Sequence, residues 1–218
     1  MSEFYGEPDD VLSNKTEVNK AGMKLPEVLF KIRVRVESDN ENPFEWKDMY
    51  TSDYFKGKKC ILFALPGAFT PTCSSSHLPG YEESYEIFKK LGVDEVYCLS
   101  VNDAFVMRKW GLDQGLEEDM TPGSLGFKNV KLIPDGACQF TRGMGMSCTW
   151  GSERGFGERS WRYSCYVVDG VVKKMFVEQP MIQNSEADPF EVSDANTMLE
   201  YLKNEVVNEL THQMAQLQ

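Results

Sequence analysis

At 218 residues, the chain can form one large domain or a domain with extensions, and its 41% apolar content is enough for an ordinary core. A formal charge of −11 argues against nucleic acid or an anionic membrane as partner, and no run approaches 18 uninterrupted apolar residues, so no membrane-spanning helix is expected. The six cysteines (60, 73, 98, 138, 148 and 165) have no CxxC spacing and only His77 and His212 accompany them, which disfavours a disulfide scaffold and a zinc site.

Residues 1–22 are polar and acidic at their start, with neither the apolar core nor the Arg-rich face of a leader peptide. A flexible arm and a reducing, cytoplasmic setting are expected. Val28 to Val36 alternates, with Val28, Phe30, Ile32, Val34 and Val36 on one face, and predicts a half-buried strand. Asn40 to Pro43 reads as a turn. Cys60 to Leu65 is an apolar run and predicts a buried strand. A Pro/Gly/Thr-rich turn follows, and then a helix from Cys73 with Tyr81, Tyr85 and Phe88 at helical spacing and a kink at Pro79-Gly80. Glu95 to Val101 is a second buried strand, and Asn102-Asp103 can cap a helix running to about Trp110.

Lys128 to Ile133 predicts a short strand ended by Pro134-Asp135-Gly136, and Ser160 to Glu178 a hairpin turning at Asp169-Gly170. A closing helix begins near Ser193, with Met198, Leu199, Leu202, Val206, Leu210 and Met214 on one stripe, and frays beyond Asn208. The expected organisation is an arm (1–22), one domain (23–207) and a tail (208–218). Strand–helix–strand units followed by a hairpin and a helix imply an α/β fold of thioredoxin-like layout, a mixed central sheet flanked by helices.

Cys73 would lie in the first turn of its helix, where backbone N–H groups and the helix dipole favour an anion. Since the thiolate is the reactive form of cysteine, redox chemistry or nucleophilic catalysis is expected there. His77, four residues on, evokes a Cys–His hydrolase pair, but no orienting acid or amide is evident, and a structural or capping role is the reading adopted. Cys60, Cys98 and Cys165 read as small core hydrophobes.

Pro66-x-x-x-Thr70-x-x-Cys73, inside Leu65-Pro-Gly-Ala-Phe-Thr-Pro-Thr-Cys-Ser-Ser-Ser-His-Leu-Pro-Gly80, resembles the active-site motif of the peroxiredoxins, the type-five subgroup in particular. So do Leu99-Ser-Val-Asn-Asp-Ala-Phe-Val106 and Ser160-Trp-Arg-Tyr-Ser164, and the likeness covers about residues 25–205. It implies a peroxidase for hydrogen peroxide and alkyl hydroperoxides, with Cys73 oxidised to a sulfenic acid. Thr70 would hydrogen-bond the peroxide oxygens, and Pro66 would pack over the thiolate. Arg162 would favour the thiolate and hold the transferring oxygens. A homodimer packed through the active-site edges is also implied. Read without the resemblance, Thr70 could simply stabilise the turn, Pro66 could end the strand, and Arg162 could be an outward charge. Arg154 and Arg159 compete with Arg162 for the catalytic role, which the Arg-Tyr-Ser context assigns to Arg162.

Animal-type members carry a resolving cysteine before the last helix, but Phe176 to Asp194 contains none. Gly155 to Tyr163 and Asp188 to Ala195 instead resemble peroxiredoxins fused to glutaredoxin. A one-cysteine mechanism follows, with glutathione or a separate glutaredoxin as reductant and no bound cofactor. Cys148 is the outside candidate for a resolving thiol. The alternatives are a peroxide-sensing regulator that passes oxidation to a partner protein and a thioredoxin-like disulfide reductase, the latter weakened by the missing CxxC.

Overall fold

The computed structural model describes residues 20–37, 42–151 and 154–216. An antiparallel pair comes first, β1 (Leu29–Arg35) on β2 (Phe44–Tyr50), followed by the short helix α1 (Thr51–Phe55). The apolar run then forms β3 (Lys59–Ala64). Beyond the turn at residues 66–70, a helical stretch passes through a π-helical turn (Cys73–His77) into α2 (Leu78–Glu83) and α3 (Tyr85–Lys90). β4 (Glu95–Ser100), α4 (Ala104–Asp113), β5 (Lys131–Pro134) and α5 (Gln139–Gly143) follow. The chain ends with the pair β6 (Ser147–Trp150) and β7 (Gly157–Ser160), the hairpin β8 (Tyr163–Val168) and β9 (Val171–Val177), and α6 (Ala195–Gln216).

β3 is the centre of a five-stranded sheet ordered β5-β4-β3-β8-β9. β3, β4 and β5 run parallel, whereas β8 and β9 are antiparallel additions. Side chains alternate along a strand, so β3 serves two cores. Cys60, Leu62 and Ala64 enter a cluster with Phe30, Tyr54 and Phe140, beneath β1, α1 and α5. Ile61, Phe63 and Leu65 enter the opposite cluster with Cys73, Tyr81, Phe88, Trp110 and Met198, beneath α2, α3, α4 and α6. Ile61, Leu62 and Phe63 are all fully buried, and each contributes about 1.5–3 kcal/mol of hydrophobic stabilisation. The expected mixed sheet with helices on both faces is the observed one.

Asp103 caps α4 by accepting from the N–H groups of Phe105 and Val106, and Asp169-Gly170 turns the hairpin with φ +49° and +72°, as a two-residue turn requires. Phe30, Ile32 and Val34 form the buried face of β1. Other expectations are corrected. The helix break lies at Ser84, between α2 and α3; Pro79 occupies the first turn of α2, where its missing N–H is not needed. β5 starts at Lys131 rather than Lys128. α6 continues past Asn208 to Gln216, although Val207, Leu210 and Met214 are exposed, so only the first half of the stripe is core. Within the expected arm, Gly22 donates to Val172 O at 2.8 Å and so docks on β9; residues 1–19 lie outside the described residues, as do residues 40 and 41 of the expected turn.

Candidate active site

The parallel strands β3 and β4 end side by side, and the loop leaving β3 lies outside their carboxyl ends, where open α/β sheets place ligands. Gly67 O accepts both the N–H (3.3 Å) and the hydroxyl (2.8 Å) of Thr70, which closes the turn. Ala68 N–H donates to Asn102 Oδ1 at 3.0 Å, and Ser100 Oγ donates to the same oxygen at 2.7 Å, so the loop after β4 holds the loop after β3. Phe69 forms the turn's exposed tip at φ +63°, a left-handed conformation that a bulky side chain rarely adopts.

Ser74 N–H then closes a helical bond on Thr70 O, and Cys73 opens the π-helical turn, a feature that often marks functional sites. Cys73 thus lies in the first turn, as expected, with its side chain fully buried in the cluster that also holds Leu65, Ala68 and Leu78. Trp110 Nε1 donates to Ser74 Oγ at 3.0 Å and ties α4 to this helix.

Arg162 comes from the link between β7 and β8, one residue before β8 begins, and only 1% of it is exposed. Its Nη1 donates to Cys73 Sγ at 3.5 Å and to His77 Nδ1 at 3.2 Å, while Nη2 is ion-paired with Asp188. The Phe190 ring lies 5.6 Å from the guanidinium. Burial disfavours the Arg162 charge, but Cys73 and Asp188 outweigh it and hold the group above its ordinary pKa.

His77 is fully buried, 4.8 Å from the Phe63 ring and 5.0 Å from that of Phe190. A guanidinium only donates and a carbonyl only accepts, so Arg162 and Ser193 O (3.1 Å from Nε2) fix the neutral Nε2–H tautomer. Burial first, and then the Arg162 charge, push His77 well below its usual 6.5. Both ring nitrogens are engaged, neither with Cys73, so the geometry gives no Cys–His hydrolase pair. His77 instead buttresses Arg162. Sequence reasoning noted its i+4 spacing but missed that role, because its partners lie 85 and 116 residues away.

Asp188 and Phe190 were also not singled out as site residues. Their segment is held by Glu178, whose buried carboxylate accepts from the N–H groups of Glu191, Val192 and Ser193 and from Ser193 Oγ at 2.7–3.0 Å. Pro66 is buried at the end of β3, and its carbonyl accepts from Arg159 Nη1 at 3.4 Å. Arg154 donates to Glu186 O instead. Of the three competing arginines, Arg162 alone reaches the Cys73 sulfur.

The five other thiols are free and buried. Burial pushes Cys60 and Cys138 to about 12, Cys148 to about 11, and Cys98 and Cys165 upward too. Cys98 packs in the same cluster as Cys73, on the interior of β4. Cys148 belongs to the cluster across the sheet and donates to Ile182 O at 3.1 Å.

Residues 20–199 match the family model described as Redoxin. The chain is 54% identical over 181 residues to a peroxiredoxin from Synechocystis sp., covering 83% of this chain and 89% of the relative. It is 49% identical to a hybrid peroxiredoxin from Haemophilus influenzae, again over 83% of this chain but 65% of that longer protein. Among solved structures, the Plasmodium falciparum antioxidant protein (1-Cys peroxiredoxin) superimposes with a TM-score of 0.73 at 34% identity, covering 84% of this chain and 99% of that one.

Proposed function

The chain belongs to the peroxiredoxin family, in its type-five-like subgroup, and is thus a thiol peroxidase; from that premise we propose that Cys73 is its peroxidatic cysteine. The observation that carries this reading is the buried Arg162 guanidinium on the buried Cys73 sulfur, just beyond a strand-to-helix turn. The Cys73 thiolate attacks the terminal oxygen of hydrogen peroxide or an alkyl hydroperoxide. The S–O bond forms as the O–O bond breaks, and the departing oxygen takes a proton and leaves as water or alcohol. Cys73 is left as a sulfenic acid. Arg162 holds the transferring oxygens, at a place where it is already charged and oriented by Asp188 and His77. The Thr70 proton is committed to Gly67 O, so the Thr70 oxygen is an acceptor for the O–H of the peroxide. Pro66 shields the thiolate from water.

Reset proceeds by a one-cysteine route through an external thiol, glutathione or glutaredoxin. Its sulfur attacks Cys73 Sγ, the S–O bond breaks, water leaves, and a second thiol frees Cys73 from the mixed disulfide. Burial and raised pKa at the other five thiols favour this route, as do the relatives' descriptions as a 1-Cys peroxiredoxin and a hybrid peroxiredoxin. Six free thiols suit a reducing, cytoplasmic setting. Exposed Phe69 on the active-site turn and Phe105 at the start of α4 favour a homodimer through these edges.

Mass spectrometry after one equivalent of peroxide and then glutathione tests the cycle. A glutathione adduct on Cys73 is expected, whereas an intrachain Cys73–Cys148 disulfide in good yield overturns the one-cysteine route. Rapid glutathione-coupled turnover that Cys73→Ser abolishes separates an enzyme from a stoichiometric peroxide sensor.

A further inference from the structure

Two arginines flank the turn that carries Cys73, Arg162 on the sulfur and Arg159 on the Pro66 carbonyl, and only Arg162 has a carboxylate partner. Arg162 shares its charge with Asp188. Arg159, on β7, is half-buried at the rim and holds its fork against neutral groups: Nε on Phe156 O at 3.1 Å, Nη1 on Pro66 O at 3.4 Å, and the Phe156 ring at 5.6 Å. Carbonyls fix a guanidinium without cancelling its charge, and Arg159 has no ion pair among the described residues. A Cβ at Gly67 would come within 2.8 Å of Arg159 Nη1, so the bare Gly67 leaves room for the guanidinium to approach the turn. The charge at Cys73 is felt there, opposing the burial that lowers the Arg159 pKa.

The charge balance changes during the cycle. When Cys73 reacts as a thiolate, it and Asp188 match the two arginines, His77 being neutral and the Glu178 carboxylate covered by the 191–193 backbone. Conversion of the thiolate to a sulfenic acid removes one negative charge, leaving one positive charge uncompensated at the rim. It appears at the step when the reductant arrives.

We propose that Arg159 selects the reductant by accepting the carboxylate of an anionic thiol as that thiol attacks the Cys73 sulfenic acid. The proposal rests on the external-thiol reading above. In this step the S–S bond forms and the S–O bond breaks. The incoming sulfur is oxidised, the Cys73 sulfur is reduced, and hydroxide leaves as water with the proton that the thiol gave up. Neutral peroxide would gain nothing from Arg159, so the residue is a specificity determinant of the second half-reaction.

The test uses the full chain, oxidised with one equivalent of hydrogen peroxide and mixed with 3-mercaptopropionate, 2-mercaptoethanol or cysteamine. Mixed disulfide on Cys73 is followed by mass in quenched samples, and each rate is corrected to the thiolate present. The anionic thiol should react fastest and the cationic one slowest. The anionic-to-neutral rate ratio should fall about tenfold in Arg159→Gln and with added salt. Arg159→Lys should keep most of the ratio. A wild-type enzyme indifferent to thiol charge overturns the proposal, as does an Arg159→Gln variant slowed equally with all three thiols. Because the thiols are synthetic, the ratio is read whatever the cell supplies. Poor glutathione turnover with the ratio intact counts only against the glutathione reading, and an absent ratio only against Arg159. Failure of Cys73 to form a sulfenic acid overturns both.

Discussion

Arg162→Ala deletes the group on which the site geometry converges, and its two consequences can be sized separately. For catalysis, it removes a charged donor that is already aimed at the reacting sulfur. Loss of one preorganised donor to developing negative charge typically lowers the rate ~10²–10³-fold, about 2.7–4 kcal/mol of transition-state stabilisation. For stability, His77 Nδ1 loses its donor in a fully buried setting, a penalty of about 1–3 kcal/mol, while partly exposed Asp188 can turn to water. Relief of the guanidinium's own burial offsets part of this. A domain stable by about 5–15 kcal/mol stays folded through such a loss, so kinetics are measurable on native protein. Stopped-flow kcat/KM for hydrogen peroxide, paired with urea denaturation, checks both parts. Arg162→Lys should be intermediate, because an ammonium keeps the charge but lacks the planar fork that reaches Cys73, His77 and Asp188 together. A folded Arg162→Ala enzyme with kcat/KM near wild type would refute the reasoning.

Other perturbations isolate neighbouring features. The depressed His77 pKa means that the folded state resists a proton which the unfolded state binds below pH 6.5, so stability is fully present above that pH and is lost as the pH falls. Wild type should lose up to about 1.4 kcal/mol per pH unit more than His77→Gln between pH 6.5 and 5 in denaturation series, and parallel curves would contradict this. Gly111→Ala in α4 should destabilise despite alanine's better helix propensity, because the new Cβ would lie 2.3 Å from Phe127 Cζ and 2.9 Å from Leu132 Cδ1. Overpacking of about 1–3 kcal/mol exceeds the propensity gain of about 1 kcal/mol, and a raised melting temperature would show that the core yields. Glu178→Gln replaces a carboxylate that accepts from four donors with an amide that brings its own donors; loosening the segment that carries Asp188 and Phe190, it should lower both melting temperature and peroxidase rate. Loss of stability with the peroxide rate untouched would separate this segment from the chemistry.

What the sequence made legible follows the range of the interactions involved. β3, the turn at residues 66–70, the position of Cys73, the Asp103 cap and the Asp169-Gly170 hairpin are all set by neighbours within a few residues, and each was readable. β2 was not, because Phe44–Tyr50 is exposed along most of its length and shows no clean alternation; its pairing with β1 defines it. Arg162 lies 89 residues from Cys73, so only a family resemblance could join them, and nothing local marked Asp188 or assigned His77 its partners. The same limit made Arg154, Arg159 and Arg162 look like rivals for one role. Their environments divide them instead. Arg154 serves a loop carbonyl, Arg162 is buried and charge-paired against the sulfur, and Arg159 stands at the rim with its charge unspent. A cation needed for the peroxide must already be in place when the O–O bond breaks, which favours the buried, buttressed arginine. One that meets an arriving thiol must reach solvent, and a half-buried rim position supplies that.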